Sequence, residues 1–532
     1  MSSKNRFLLD CTLRDGGYVN DWKFGRDTIS YIFDRQLSSN VDIIEIGFLD
    51  ENRAFDPDRT IMPDTDSANK IFGGFDTGDT MVVAMIDYGT CGIENIAPCK
   101  DTCLDGIRVI FKKEKMHKAL EFCGKIKDLG YKVFVQAVSI TSYNVDELKE
   151  LISLVNRLRP YALSMVDTYG LLDSTGLDHI IKVIDKEMLP EIALGYHAHN
   201  NFQLGYANSV SVLNSDTNRN ILVDGSLYGM GKSAGNAPIE LIAMYMNEAF
   251  GKNYDVTQIQ ETISTSILDI YRKQPWGYTL FYYIAALNKC HPNYVSYLMN
   301  KRTLSVTAIN EILKRIPTEK KLDKNMALIE ELYIEYQSRE CDDSAAIARL
   351  ETMLDGKTVL MIGPGKTVAD ESEKIGSFIE KESPVIISVN FIPDKFLPDY
   401  LFLTNTRRYQ QIARKLMERH SGKPIIATSN LADIGAQFSY TVNYSSLIDE
   451  KEEFPDNSML MLLKLLKAAG VKNIVLAGFD GYTPDNVNYF DVNMEYSFVK
   501  EKADSLNAAV KNFLGGFDKD ISVTFLTDSH YV

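Results

Sequence analysis

No apolar run in this chain approaches the ~18–20 residues of a membrane span, so no membrane partner is expected. The opening residues, Met1-Ser2-Ser3-Lys4-Asn5-Arg6, lead into a strand-like run without the apolar region of a signal peptide. Positive charge is in deficit: 57 Lys and Arg stand against 72 Asp and Glu, a net charge of −15. That balance argues against nucleic acid as the main partner. Cysteine is sparse. The seven are scattered and odd in number, which reads as reduced thiols in a cytoplasmic protein. Cys99 and Cys103 form a C-x3-C pair with no second Cys or His pair beside it, so a structural zinc is not expected there.

At 532 residues the chain is too long for one core, and two or three domains are expected. Strand-like apolar runs stand at 7–13, 41–47, 81–86, 106–110, 131–137, 161–166, 191–194 and 220–224. Stretches of helical spacing, such as 25–39, 112–129 and 145–158, separate them. Eight strands alternating with helices over about residues 6–250 predict a (β/α)8 TIM barrel, assigned to a domain 1–254. A doubly wound open sheet is the alternative, because a strand pattern does not report closure.

Gly195-Tyr196-His197-Ala198-His199-Asn200 follows the seventh run. Residues two apart in an extended chain point the same way, so His197 and His199 can aim two imidazoles at one point. Such a pair is the start of a divalent-metal site. Barrel enzymes carry their chemistry at the C-terminal ends of the strands. Arg14 and Asp15 follow the first run, Glu45 closes the second, Asp167 and Thr168 close the sixth, and Gly229 to Asn236 follow the eighth. Singly, each carboxylate is as well explained by a helix cap or an ion pair. Together they gather at the one rim where a barrel would bring them into a site.

Asp10-Cys11-Thr12-Leu13-Arg14-Asp15-Gly16, His197-Ala198-His199-Asn200 and Gly229-Met230-Gly231 through Gly235-Asn236-Ala237-Pro238-Ile239-Glu240 resemble the motifs of the DRE-TIM metallolyases. That superfamily includes 3-hydroxy-3-methylglutaryl-CoA lyase, 2-isopropylmalate and homocitrate synthases and 4-hydroxy-2-oxovalerate aldolase. The third motif is most similar to that of the oxovalerate aldolases. The resemblance implies Asp15, His197 and His199 as ligands of a divalent cation, with Asn236 completing the shell. Mn²⁺, Mg²⁺ and Co²⁺ remain open, since mixed oxygen and nitrogen donors do not choose among them. It further implies a 2-oxo acid chelated by the metal, and an enolate stabilised by the metal and by Arg14 when a C–C bond breaks. Thr168 is implied to position the 2-oxo acid, and Glu45 and Asp167 are carried over as further substrate-side residues.

One position departs from the pattern. The oxovalerate aldolases carry a histidine base two residues after the glycine of Leu-Arg-Asp-Gly, and here that position is Tyr18. Tyrosine is protonated at neutral pH, so Tyr18 is expected to act as an acid or orienting group, unless the substrate differs or another group moves the proton. The synthases usually have Glu-Gln after Arg-Asp-Gly, where this chain has Gly17-Tyr18. Residues 255–350 read as a helical extension. Gly277-Tyr278 is similar to a Gly-Tyr of the aldolases that supplies a proton donor, which makes Tyr278 a candidate acid/base group, with an aromatic core residue as the alternative. In those aldolases the helical segment also contacts an aldehyde dehydrogenase partner, for which this sequence carries no specific signal.

Residues 339–356 read as a boundary, and 356–532 as a Rossmann-like α/β domain with strands near 357–362, 385–389, 400–404, 424–428 and 473–478. Gly365-Lys366-Thr367 is not a P-loop, because position 360 is leucine where that motif needs glycine. The dinucleotide fingerprint fails too, at Val368. Backbone N–H groups at this turn can still hold an anion. With Ala477-Gly478-Phe479-Asp480-Gly481-Tyr482 the domain faintly resembles bacterial sialyltransferase-like and motility-accessory Rossmann domains. Nucleotide-sugar or phosphate binding and a structural or oligomerising role are both open for it.

The sequence thus predicts a metal-dependent aldolase or lyase that acts next to a 2-oxo acid, with pyruvate and an aldehyde as expected substrates. The alternatives are a Claisen-type synthase joining an acyl-CoA to a 2-oxo acid, and a non-catalytic barrel whose activity lies in the C-terminal domain. A homo-oligomer is compatible with either.

Overall fold

The computed structural model describes residues 6–301, 304–337, 341–419, 422–434, 438–448, 456–484, 488–489 and 502–532. Arg339 and Glu340, at the start of the expected boundary, lie outside the described residues. The chain divides into two compact units, 1–292 and 293–532. The helical stretch expected as one extension is shared between them. Val256–Thr262 through Leu280–Leu287 belong to the first unit, and Val306–Arg315 and Met326–Gln337 to the second. No helix among the described residues is long and apolar enough to cross a membrane.

The first unit is a closed parallel barrel of β1 (Arg6–Asp10), β2 (Ile43–Leu49), β3 (Met81–Asp87), β4 (Gly106–Phe111), β5 (Lys132–Ala137), β6 (Ala162–Asp167), β7 (Ala193–Ala198) and β8 (Ile221–Gly225). Closure is made by β1, which pairs with β8 from Arg6↔Ile221 to Asp10↔Gly225 and with β2 at Leu9↔Ile43. The first strand ends earlier than its apolar run suggests. Asp10 accepts the Thr12 backbone N–H and hydroxyl, and the chain turns there into a single π-helical turn, Thr12–Gly16. The seventh strand runs later than expected, because His197 and Ala198 still pair with Val166 and Asp167 of β6.

The period of two along each strand builds the barrel interior in layers. Leu9, Ile43, Val83, Phe134, Ala162, Ala193 and Leu222 form a dry apolar floor. Two residues further along, the same strands present Cys11, Glu45, Met85, Gln136, Ser164, Gly195 and Asp224, and β4 adds Arg108. Apart from Met85 and Gly195 this second layer is polar, and it is buried. Strand neighbours of the floor residues, such as Leu8, Ile44, Val82 and Leu163, face outward into the larger core shared with the helices.

Gly195 is fixed by close approach. A Cβ there would stand 2.1 Å from Ser164 Oγ, which accepts a hydrogen bond from Gln136 Nε2 at 2.9 Å. Gly195→Ala is therefore expected to cost about 1–3 kcal/mol of stability, the usual result of overpacking a rigid interior. The urea midpoint of the purified variant checks this, and an unchanged midpoint would mean that the barrel wall yields at no cost.

The second unit contains a seven-stranded parallel sheet of β9 (Thr358–Ile362), β10 (Val385–Val389), β11 (Tyr400–Leu403), β12 (Ile425–Thr428), β13 (Tyr440–Val442), β14 (Asn473–Ala477) and β15 (Ser522–Phe525). The order is β13-β12-β11-β10-β9-β14-β15, so the chain builds outward from β9 on one side and then returns to its other side. This is the doubly wound, Rossmann-like arrangement, with its topological switch at β9.

Candidate metal centre

The third layer, at the C-terminal mouth of the barrel, holds the ionisable cluster. The π-helical turn after β1 presents Arg14 and Asp15, both buried. Such turns relax the helical ladder and recur at functional sites. The end of β7 presents His197 and, two residues on, His199, with ring centroids 5.0 Å apart. Ligand atoms of Asp15, His197 and His199 all lie within 4.8 Å of one another. The loop after β8 closes over Asp15: Lys232 donates its backbone N–H to Asp15 Oδ2 at 3.2 Å, and Asn236 Nδ2 donates to the same oxygen at 2.8 Å. Gly231 permits this, since a Cβ there would meet Asn236 Nδ2 at 2.4 Å and Asp15 Oδ2 at 2.6 Å.

Each histidine is oriented by its other nitrogen. His197 Nδ1 donates to Asp224 Oδ2 at 3.0 Å, and His199 Nδ1 donates to the Asp167 carbonyl at 3.2 Å. These bonds put a proton on each Nδ1 and turn the Nε2 atoms toward Asp15. Both Nε2 atoms and Asn236 Oδ1 are buried and make no hydrogen bond. The Asp15 oxygens lie 3.9 Å from His197 Nε2 and 3.5 Å from His199 Nε2. Orphaned acceptors beside a buried carboxylate are costly in a protein interior unless a cation answers them. A donor set of one carboxylate and two imidazoles, with the Asn236 amide beside them, fits a divalent metal ion and leaves coordination positions open.

The protonation states agree with that fit. Burial lowers the His197 imidazole to about 4, so the ring is neutral. Burial pushes the Asp15 carboxyl upward, but the Arg14 guanidinium beside it outweighs burial and holds the group well below the usual carboxylate range. Arg14 is disfavoured by burial and rescued by Glu45 and Asp15, so it stays charged.

Beneath the candidate ligands lies a chain of buried ion pairs. Arg14 Nε donates to Glu45 Oε2 at 2.8 Å, and Arg14 also pairs with Asp15. Arg108 Nη1 lies 2.8 Å from the same Glu45 oxygen, and Arg108 Nη2 donates to Asp224. Asp224 in turn orients His197. Arg108 and Asp224 were given no role from sequence. Their signals were a lone guanidinium in the apolar strand Gly106–Phe111 and a carboxylate at the end of the eighth run.

The remaining expected site residues divide. Glu45 and Asp167 were carried over as substrate contacts, but their carboxylates are committed within the protein. Glu45 is fully buried between two arginines, and Asp167 accepts the backbone N–H groups of Leu171 and Leu172 at 2.8 and 3.0 Å. Thr168 Oγ1 accepts the Ser139 N–H at 2.8 Å, which ties the loops after β5 and β6 together. Tyr18 stands at the mouth, edge-on to Trp22 at 4.8 Å, with the Lys232 ammonium 5.2 Å from its ring centre. Desolvation and the Asp15 carboxylate push its hydroxyl up to about 12. Tyr278 is not brought into the cluster. Trp276 packs against Gly235 and donates to the Tyr228 carbonyl at 2.9 Å, but two residues on Tyr278 is 57% exposed with its ring beside Tyr283.

The barrel's sequence is similar to that of known proteins. Residues 6–266 match the family described as HMGL-like. Over 260 residues the chain is 24% identical to 4-hydroxy-2-oxovalerate aldolase 2 of Salinispora arenicola, covering 48% of this chain and 73% of that protein. It is 26% identical over 267 residues to a protein of Methanosarcina mazei named "Probable 2-isopropylmalate synthase", covering 48% of this chain and 49% of that one. The chain therefore spans about half the length of that second relative. Among solved structures, the HMG-CoA lyase of Bacillus subtilis is similar at 17% identity and a TM-score of 0.41, covering 52% of this chain and 96% of that chain. With the family match over the whole barrel, residues 6–266 of this chain are an HMGL-like domain, of the DRE-TIM metallolyase type.

Proposed function

We propose that the barrel is a divalent-metal-dependent aldolase or lyase that makes or breaks a C–C bond next to a 2-oxo acid, with pyruvate and an aldehyde as the two fragments. One observation carries the reading: the orphaned Nε2 atoms of His197 and His199 converge on Asp15 directly beside the buried, charged Arg14. A divalent cation held there supplies Lewis-acid stabilisation of negative charge on an oxygen of the substrate. Arg14, fixed by Glu45 and Asp15, offers its positive charge to the same developing oxyanion without having to reorganise. The Lys232 ammonium at the mouth adds a second positive charge that draws in the carboxylate of a 2-oxo acid.

Tyr18 takes the donor role. With its hydroxyl pushed up to about 12 it is protonated at neutral pH and gives a proton or hydrogen bond to an oxygen, instead of removing a proton. Tyr18→Phe is expected to lower kcat by roughly 10²-fold with KM changed less than about threefold. Steady-state kinetics with the working aldehyde decide this, and unchanged kcat would remove Tyr18 from the reaction.

The test of the function itself needs no knowledge of the aldehyde. Pyruvate methyl protons should exchange in D2O, followed by NMR, only when Mn²⁺ or Mg²⁺ is present. Absence of exchange with metal bound would overturn pyruvate as the donor. The likeness to a named 2-isopropylmalate synthase supports a second reading, condensation of an acyl-CoA with a 2-oxo acid. A rate that depends on acetyl-CoA distinguishes the two.

A further inference from the structure

An aldolase needs a base as well as an acid, and the groups described above leave that role unfilled. Tyr18 is protonated at neutral pH. Among the carboxylates, Asp15 faces the histidine pair and Asp224 orients His197. Glu45 is sealed between two arginines, and Asp167 braces the turn after β6.

The inner face of β3 carries one more carboxylate. Val83 lies in the apolar floor and Met85 in the layer above it, so Asp87, two residues further on, faces the mouth. Ile86, between them, turns into the outer core. The strand register agrees. Asp87 is level with Ile110 of β4, which packs against the cluster of Trp22, Phe48, Ile61 and Met85. Tyr18 lies edge-on to the same Trp22 and Phe48 rings, at 4.8 and 6.1 Å between centres. Asp87 and Tyr18 therefore share one side of the mouth. After desolvation and Asp15, the Asp87 charge is a further cause of the raised Tyr18 hydroxyl.

Asp87 is exposed to solvent, and its carboxylate makes no hydrogen bond or ion pair among the described residues. Only its backbone carbonyl is engaged, by the Thr90 N–H at 2.9 Å and the Thr90 hydroxyl at 3.0 Å. The charged groups around the carboxylate are Lys115 and Lys112 after β4, Lys232 after β8 and Asp50 after β2. Desolvation at the mouth outweighs the three ammonium groups and raises the carboxyl above its ordinary value, which makes it a stronger base than a carboxylate in open water.

We infer that Asp87 is the general base of the barrel, an assignment that rests on the aldolase reading above. In the cleavage direction its carboxylate takes the proton of the substrate's 4-hydroxyl group. The C3–C4 bond breaks, C4 leaves as the aldehyde carbonyl, and the electron pair of the broken bond passes into the 2-oxo group as an enolate. Asp87 then returns the same proton to C3, which gives pyruvate and restores the carboxylate. Run backwards, the last transfer removes a methyl proton from pyruvate, so Asp87 serves the exchange reaction too.

Asp87→Asn, close to isosteric, tests this in the full-length protein with Mn²⁺. Pyruvate methyl exchange in D2O is expected to fall by at least about 10²-fold, with the KM for pyruvate changed less than about threefold. Mn²⁺ affinity, read by electron paramagnetic resonance, should stay within about twofold of the parent. Two further readouts separate a base from a structural residue. The parent rate should rise with pH as Asp87 loses its proton, and that limb should vanish in the variant. In Asp87→Ala, added acetate should restore exchange by about tenfold or more, because a free carboxylate can occupy the space left. Exchange in Asp87→Asn within about threefold of the parent would overturn the assignment, and so would an unaltered pH limb or a loss of Mn²⁺ binding. Absence of exchange in the parent as well would strike the pyruvate reading and Asp87 with it, whereas exchange present in the parent and undiminished in the variant strikes Asp87 alone.

Discussion

His199→Ala is expected to abolish metal-dependent pyruvate exchange, a drop of more than about 10³-fold, while the barrel stays folded. The fold should survive because the ring makes one side-chain hydrogen bond, to the Asp167 carbonyl, and its Nε2 makes none. The metal should not survive, because the variant loses one of the two imidazoles of the proposed shell and keeps only Asp15, His197 and Asn236. Titration with Mn²⁺, read by electron paramagnetic resonance, separates loss of metal from loss of chemistry. Asp224→Asn is the graded companion. It keeps every direct ligand but replaces the carboxylate that receives the His197 Nδ1 proton at 3.0 Å. Such outer partners are typically worth about 10–100-fold in metal affinity. A full loss in His199→Ala with a partial loss in Asp224→Asn is the expected order. Metal affinity unaltered in both variants would mean that the cluster is not the metal site.

The barrel was legible because its signals are local. A period of two, repeated eight times between helical stretches, fixes which faces are buried. The histidine pair was legible for the same reason, since His197 and His199 share a side at a strand end. Closure was not legible, as it depends on β1 pairing with both β8 and β2. The partners of the carboxylates were hidden as well. Glu45, Asp167 and Asp224 look alike at strand ends, yet one is sealed between two arginines, one braces a turn and one orients a ligand. Those roles are set by contacts across the barrel, from residues as distant in sequence as Arg108 and Asp224. Tyr278 shows the limit of carrying over a motif. Gly277-Tyr278 is present, but the segment is anchored through Trp276, and the Tyr278 ring is left largely to solvent.

Arg108→Met should be among the most damaging single changes to the stability of the barrel. The guanidinium is 1% exposed and serves two carboxylates at once, Glu45 and Asp224, with Gln136 Oε1 as a third partner at 3.1 Å. Methionine fills much of the volume but answers neither charge. Counting Asp15, the polar layer would then hold three carboxylates against Arg14 alone. Removing one partner of a buried ion pair costs roughly 3–5 kcal/mol, because the charge left behind has no water to return to. The sign of the pH dependence follows. Without Arg108, Glu45, already raised by burial, rises further, and Asp224 loses the cation that now holds it low. A carboxyl whose folded value is raised binds more protons folded than unfolded, so its penalty is largest at high pH and fades as pH falls through that raised value. The deficit of Arg108→Met relative to the parent should therefore shrink as the pH is lowered from about pH 8. Adding Glu45→Gln removes one stranded charge and should restore part of the loss. Hydrogen exchange of peptides from β4 and β8 across a urea series reads the barrel separately from the second unit. A deficit below about 0.5 kcal/mol at pH 8 would mean that the buried ion chain does not hold the barrel together, and that its place is with the metal ligands alone.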